Sequence, residues 1–386
     1  MLRRDDMTTS PDTERTASPR IDLARTCTMG EVEAVLRFHL SALWAEPSQA
    51  PSLAPLMVWG PPGVGKSAVV RDLCQRESIG FVDVRLAQRE PVDIRGLPVP
   101  RDDGVHWLTS AEWPREGRGI ILFDELTAAD RTLQVAAYEF ILDRRLGDLY
   151  QVPAGWYLCA AGNRSEDHAV VTGMSSALAN RFCHLEVAAD IDDWVRWATT
   201  HGVHPLVVGF LRFRPALLYA PEGDLQQGWP TPRSWERVSL EMMLSERYDL
   251  AEQHLRLIIQ GLVGPAATTE LFAYRSWAER LPAVQAMLAG QRPVEVPSRP
   301  DQLYALCTAA VHFTQKDPAL LDGLLDLGLA LSSDFAAMTL VDYLNAAGAD
   351  EVGERARRVF AHPRFGAWKD RHGPAFRARF ASLSHD

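Results

Sequence analysis

Val58-Trp59-Gly60-Pro61-Pro62-Gly63-Val64-Gly65-Lys66-Ser67 is the stretch on which the fold of this chain turns. The apolar run Leu56 to Trp59 predicts a short strand, and the spacing from Lys66 through Cys74 predicts a helix. Between them, Gly60, Gly63 and Gly65 let the backbone curl with no side chain in the way, so that successive N–H groups face inward. The following helix directs its positive end at the same point. A loop of the form G-x-x-x-x-G-K-[ST] in this strand–helix context holds phosphates. Gly60, Pro61, Pro62, Gly63, Val64, Gly65, Lys66 and Ser67 are therefore the candidate nucleotide contacts. Lys66 is placed to reach the β- and γ-phosphates and the Ser67 hydroxyl to ligate Mg²⁺. A glycine-rich turn that matches by chance is the competing reading, and the flanking strand and helix count against it.

Working outward, two more strand tips carry polar groups. Gly119-Ile120-Ile121-Leu122-Phe123 is a continuous apolar run of the kind a parallel sheet buries on both faces, and it ends in Asp124-Glu125. Asp124 suits a Mg²⁺ held through its water shell, and Glu125 suits a base that polarises the water attacking a γ-phosphate. Simple helix capping ahead of Leu126-Thr127 is the alternative use of that pair. The second run, Trp156 to Ala161, ends in Gly162-Asn163. Asn163 is placed to hydrogen-bond both the attacking water and the γ-phosphate, although Asn after Gly is also a common turn residue. With the short strand Gly80 to Leu86 and the helix Arg131 to Leu142, strands alternate with helices around the phosphate loop. That alternation implies an α/β fold with a parallel sheet and a ligand at the strands' carboxyl ends.

The combination resembles the AAA+ ATPases, and among them the MoxR-like group, over about residues 29 to 240. Gly60 to Ser67 resembles Walker A, Ile120 to Glu125 resembles Walker B, and Ala160 to Asn163 resembles the sensor-1 motif. Leu178-Ala179-Asn180-Arg181-Phe182 is similar to the family's motif whose arginine reaches the neighbouring subunit's ATP, and Arg164 is a weaker rival for that contact. Pro230-Thr231-Pro232-Arg233 is similar to sensor 2, where an arginine on the helical lid touches the γ-phosphate. Each arginine would stabilise developing phosphoryl charge with its guanidinium fork. A surface arginine at a helix end and an arginine beside a proline-started helix are the bland alternatives for Arg181 and Arg233.

The resemblance implies an ASCE-type parallel-sheet P-loop core with a helical lid, ATP and Mg²⁺ as cofactors, and ATP hydrolysis in a ring, usually a hexamer. It also implies a partner carrying a von Willebrand factor A domain and a chaperone-like, remodelling role. The family's insert that forms pore-facing loops falls here on Asp93-Ile94-Arg95-Gly96 and the segment Val99 to Leu108, where Asp102-Asp103-Gly104 signals a hairpin. Asp93 and Gly96 serve equally well as turn formers.

The expected organisation is a mobile polar tail over residues 1–28, an α/β nucleotide-binding domain over 29–190, a helical lid over 191–275 and a helical region over 276–386. The last region matches no familiar motif and exceeds the family's compact size. Helical spacing recurs at Val32, Val35, Leu36, Leu40 and Leu43, and again in several segments after Asp190; no internal repeat is seen.

Composition narrows the classes. The chain has 386 residues, 47% hydrophobic and 23% charged, which is ordinary for a globular protein of two or three domains. A net charge of -10 disfavours a standing nucleic-acid surface, since phosphate neutralisation needs clustered Lys and Arg. There is no apolar run of membrane-span length, and the start Met1-Leu2-Arg3-Arg4 lacks the apolar core of a secretory signal. Five scattered cysteines (Cys27, Cys74, Cys159, Cys183, Cys307) suit reduced thiols and a cytoplasmic location. Beside a ring ATPase, three alternatives stay open: a nucleic-acid motor on the same core, a nucleotide-switched scaffold and a small-molecule kinase. The carboxylate pair favours water as the phosphoryl acceptor.

Overall fold

The computed structural model describes residues 26–383 except 165–173, 175, 222–226, 279–282 and 347–348. Nearly all of the expected N-terminal tail, 1–25, lies outside those residues. The first half of the chain runs α1 (Met29–Ala45), β1 (Leu56–Trp59), α2 (Lys66–Arg76), β2 (Gly80–Arg85), α3 (Pro91–Arg95), β3 (Leu97–Arg101), β4 (Gly104–Leu108), β5 (Gly119–Asp124), α4 (Arg131–Asp143), β6 (Arg145–Leu146), β7 (Tyr150–Gln151), β8 (Trp156–Gly162), α5 (Ser176–Ala179) and β9 (Cys183–Glu186). The second half is helical: α6 (Ile191–Thr200), α7 (Pro205–Phe213), α8 (Pro232–Tyr248), α9 (Glu252–Ala278), α10 (Val284–Leu288), α11 (Pro300–Lys316), α12 (Leu321–Ala330), α13 (Ser333–Asn345), α14 (Ala349–Phe360) and α15 (Phe365–Leu383).

Five strands form one all-parallel sheet in the order β2-β5-β8-β1-β9. The continuous apolar runs follow from burial on both faces. Met57, Ile121, Phe123, Leu158 and Ala160 pack on one side with α4. Their alternating neighbours Leu56, Val58, Ile120, Leu122, Tyr157, Cys159 and Ala161 pack on the other with α1 and α2. β8 is inserted between β1 and β5, so Asn163 emerges between the phosphate loop and Asp124. The expected class holds: a parallel P-loop α/β core of ASCE type, a helical lid and further C-terminal helices.

The helical half has two cores. Trp194, Val207, Phe210, Trp235, Ile259 and Leu271 centre one, spanning α6 to α9. Leu306, Leu324, Leu340, Tyr343 and Trp368 centre the other, spanning α10 to α15. An ion network centred on the buried Arg212–Asp342 pair joins them: Arg212 on α7 pairs with Asp342 on α13 at 2.5 Å and Asp192 on α6 at 3.2 Å, and Arg379 on α15 also reaches Asp192. Burial pushes the Asp342 carboxyl up, against the pull of Arg212.

Two sequence expectations need correction. Cys27 and Thr28, assigned to the tail, belong to the core: the Cys27 N–H donates to Glu186 O at 2.7 Å, and Thr28 caps α1 in a reciprocal box with Glu31. The segment around Asp93 is a short helix rather than a bare loop. Its Asp93 carboxylate accepts from the Glu90 N–H at 2.9 Å, and Gly96 ends it at φ 97°. The Asp102-Asp103 turn does join a hairpin, β3–β4, whose Leu97, Val105 and Trp107 are exposed. Cys74, Cys159 and Cys307 are buried free thiols. Among the described residues, no helix is long and apolar enough to cross a membrane.

Candidate nucleotide site

The phosphate loop leaves β1 and enters α2 through two left-handed glycines, Gly63 at φ 84° and Gly65 at φ 108°. Side chains strain such backbone, and at Gly63 a Cβ would also lie 2.9 Å from the Thr231 side chain. The lid therefore sits directly on the loop. Thr231 caps α8, and the Arg233 N–H donates to Gly63 O at 3.1 Å.

Four of the expected site residues form two bonded pairs side by side at the carboxyl edge of the sheet, Lys66 with Asn163 and Ser67 with Asp124. Lys66 is buried, and its ammonium donates to Gly60 O at 2.6 Å, Pro61 O at 2.9 Å and Asn163 Oδ1 at 2.9 Å. These bonds offset the cost of burying the charge. The Ser67 hydroxyl donates to Asp124 Oδ2, and Asp124 Oδ1 accepts from the Glu125 N–H at 2.9 Å. Ser67 and Asp124 thus present only oxygens, the donor set that a hard cation such as Mg²⁺ takes. Glu125 itself is exposed and held at φ 55°. A left-handed non-glycine residue costs about 1–3 kcal/mol and persists where its surroundings over-determine it. Here the next residue does so: the Leu126 N–H donates to Ala161 O on β8 at 3.0 Å.

Sequence reasoning treated Thr127 only as part of a capping segment. It is almost fully buried, its hydroxyl donates to Asn163 O, and it accepts from the Asn163 N–H, both at 3.2 Å. Thr127 therefore fixes the backbone of the residue that bonds Lys66. No local pattern marks it, because its partner lies 36 positions away.

Beside the loop opens a cavity of ≈ 670 Å³, walled by Gly30, Gly65, Asp193, Trp194, Trp197 and Arg233 among others. Its size suits a base and ribose. Asp193 on α6 accepts from the Gly30 N–H at 3.2 Å, tying the lid to the start of α1, and burial pushes its carboxyl up. Trp194 Nε1 is buried in that wall without a hydrogen-bond partner among the described residues. Trp197 stacks on His201 and donates to Asp72 at 3.2 Å. The α6 residues of this wall were missed from sequence. Helical spacing marks Trp194 and Trp197 as core candidates but says nothing about a cavity.

The two remaining arginines behave differently. Arg233, exposed on the first turn of α8, lines the cavity next to the loop. Arg181 is exposed on the turn before β9 and so lies at the amino end of that strand. Leu56 pairs with Cys183 and Trp59 with Glu186, whereas the loop, Asp124 and Asn163 all leave from carboxyl ends. Four residues at ~3.3 Å each separate the two edges by about 13 Å. Arg164, its rival, is ion-paired with Glu186 of its own chain.

No protein-family model matches the sequence, and no curated protein does. Among solved structures, the chain is similar to a candidate ATPase from Cytophaga hutchinsonii, with 12% identity over 70% of this chain and 98% of that one, at a TM-score of 0.31. It is also similar to the Thermotoga maritima RuvB Holliday junction branch migration motor, with 16% identity, 79% and 92% coverage and a TM-score of 0.36. A third is NtrX from Brucella abortus in complex with ADP, with 17% identity, 86% and 67% coverage and a TM-score of 0.34. These are distant superpositions; the assignment of fold rests on the strand order itself.

Proposed function

We propose that this chain is an Mg²⁺-dependent ATPase of the AAA+ kind that works as a ring, each site being completed by the next subunit. The observation that carries the reading is the placement of two bonded pairs, Lys66–Asn163 and Ser67–Asp124, at the carboxyl edge, with Glu125 fixed beside them in a strained turn. On binding, the β- and γ-phosphates compete with Gly60 O and Pro61 O for the Lys66 ammonium, while inward-facing loop N–H groups hold the remaining oxygens. Ser67, and Asp124 through water, would hold Mg²⁺, which would supply charge neutralisation at the β- and γ-phosphates. Glu125 takes a proton from the attacking water as its oxygen bonds to γ-phosphorus and the bridging P–O bond breaks toward ADP. Asn163 orients that water, and Arg233 meets the γ-phosphate from the lid. The position of Arg181 at the opposite strand end favours a role in a neighbour's site rather than its own.

The finer reading is a MoxR-like hexamer that remodels a protein client with a von Willebrand factor A domain partner, in the cytoplasm. Support for it is the likeness of the Leu178 to Phe182 and Pro230 to Arg233 segments noted above.

Glu125→Gln is the direct test. It is expected to bind ATP normally and to turn over about 10²–10⁴-fold more slowly. Unchanged turnover removes Glu125 from the mechanism. The same ATP-trapped variant, used as bait, should retain a von Willebrand factor A domain protein if the finer reading is right.

A further inference from the structure

We propose that His184 is a positioning residue of the shared site, holding the Arg181 turn against the strand that feeds the phosphate loop. This rests on the reading of Arg181 given above. Trp59 is the last residue of β1, immediately before Gly60, and its indole Nε1 donates to His184 Nδ1 at 2.7 Å. Ala179 ends α5, two residues before Arg181, and its carbonyl lies 2.7 Å from His184 Nε2.

An indole N–H only donates and a carbonyl only accepts, so His184 is the neutral tautomer with its hydrogen on Nε2. Both ring nitrogens are committed, one to each half of the site. His184 sits on β9, the edge strand, in register with Met57, so it bridges from the carboxyl end of β1 to the turn at the amino end of β9.

The turn needs such a tie. α5 has four residues, too few to be stable alone. Leu178 and Phe182 anchor it by burial in the core, but an apolar contact tolerates rotation about the chain. The polar link fixes its orientation, since Ala179 O also accepts from the Phe182 N–H at 3.2 Å, closing the loop on which Arg181 rides. His184 acts through Arg181 and touches no substrate; its effect is felt in the neighbouring subunit's site.

The test uses full-length rings with assembly checked by sedimentation. His184→Ala is expected to lower turnover about tenfold, the scale for losing positioning hydrogen bonds. Amide exchange at Arg181 and Phe182 should rise while exchange in the phosphate loop stays unchanged. Mixing His184→Ala with Lys66→Ala subunits should restore turnover, because intact Lys66 sites then meet well-held arginines. Trp59→Phe keeps the imidazole and removes one tie, and should give a smaller change of the same kind if His184→Ala fails to fold.

Full turnover in both variants, or a loss that mixing with Lys66→Ala never restores, overturns the proposal. The parallel mixture of Arg181→Ala with Lys66→Ala separates the two ideas. No rescue there, with amide exchange still raised in His184→Ala, defeats the trans role of Arg181 while leaving His184 as the holder of the turn.

Discussion

The candidate phosphate-holding residues and the candidate arginine finger are built in opposite ways. Lys66 is bonded to Asn163 and Ser67 to Asp124 across three strand ends, and the Lys66 charge is buried. Arg181 is exposed on a turn that His184 tethers through Ala179 O, at the other end of the sheet. Residues that bond to one another inside the fold contribute both stability and chemistry. A residue that waits for another molecule contributes chemistry alone. In the proposed ring, that separation would make assembly a control element, since an isolated chain would hold phosphate without completing the charge stabilisation.

That contrast can be broken most sharply at Arg181. Arg181→Ala should lower turnover by about 10³-fold or more, with ATP binding and Tm unchanged, as read by phosphate release and calorimetry. Arg181→Lys should recover little, because a point charge lacks the guanidinium fork. A fall in Tm of the size seen for a core substitution would mean that this arginine is structural.

The converse case is Arg212, whose side chain is 6% exposed and bonded to Asp342, itself 11% exposed. Arg212→Ala leaves a buried carboxylate without its partner, so a loss of about 3–5 kcal/mol is expected in denaturant unfolding. Since Arg212 is bonded to helices of both helical cores, its removal should loosen the C-terminal helices first. Amide exchange confined to α13 and α15 would sharpen that expectation.

Thr127 should fall between the two extremes. Thr127→Val keeps the shape but removes both bonds to the Asn163 backbone, costing about 1–3 kcal/mol for the buried groups left unpaired. Turnover should fall as well, because Asn163 loses its fixed position. A stability loss with normal kinetics would separate Asn163 from the chemistry.

The smallest effect belongs to Asp72 and His201, 3.5 Å apart in the cavity wall. The His201 hydrogen bond is the chief reason that the Asp72 carboxyl is held below its usual range, and Asp72 in turn raises the imidazole. The raised imidazole stabilises the fold fully below its ordinary value and loses that contribution as pH rises through the folded value. The lowered carboxyl stabilises above its ordinary value and fails as pH falls through the folded one. The pair is therefore most effective between roughly pH 4 and 6.5, and because His201 is 41% exposed it is worth under about 1 kcal/mol. Tm compared across pH for the native chain and His201→Asn should diverge most in that window and converge gradually on either side of it.

What was legible in the sequence is what neighbouring residues decide. The phosphate loop, its strand and its helix lie within about twenty residues, and their glycines are required by local backbone geometry. The buried strands betray themselves because both faces are apolar. The capping box before α1 and the short helix over Pro91–Arg95 were missed although their signals are local, because Thr28 reads as tail and Asp93 as turn. α14 went unmarked because its apolar residues are few among charged ones, and α15 because Gly373-Pro374 interrupts it.

The sequence by itself determined that Gly60 to Ser67 form a glycine-punctuated turn between a strand and a helix and that Asp124, Glu125 and Asn163 sit at strand tips. It did so because each of these features is fixed by the conformation of a few consecutive residues. Only the tertiary structure decided that β8 lies between β1 and β5, that Thr127 clamps Asn163, and that α6 walls the cavity. It alone placed Arg181 at the far end of the sheet and His184 against Trp59, 125 positions away. Those relations follow from the order in which strands pair, which is settled by how both apolar faces are buried at once and not by any local run of residues.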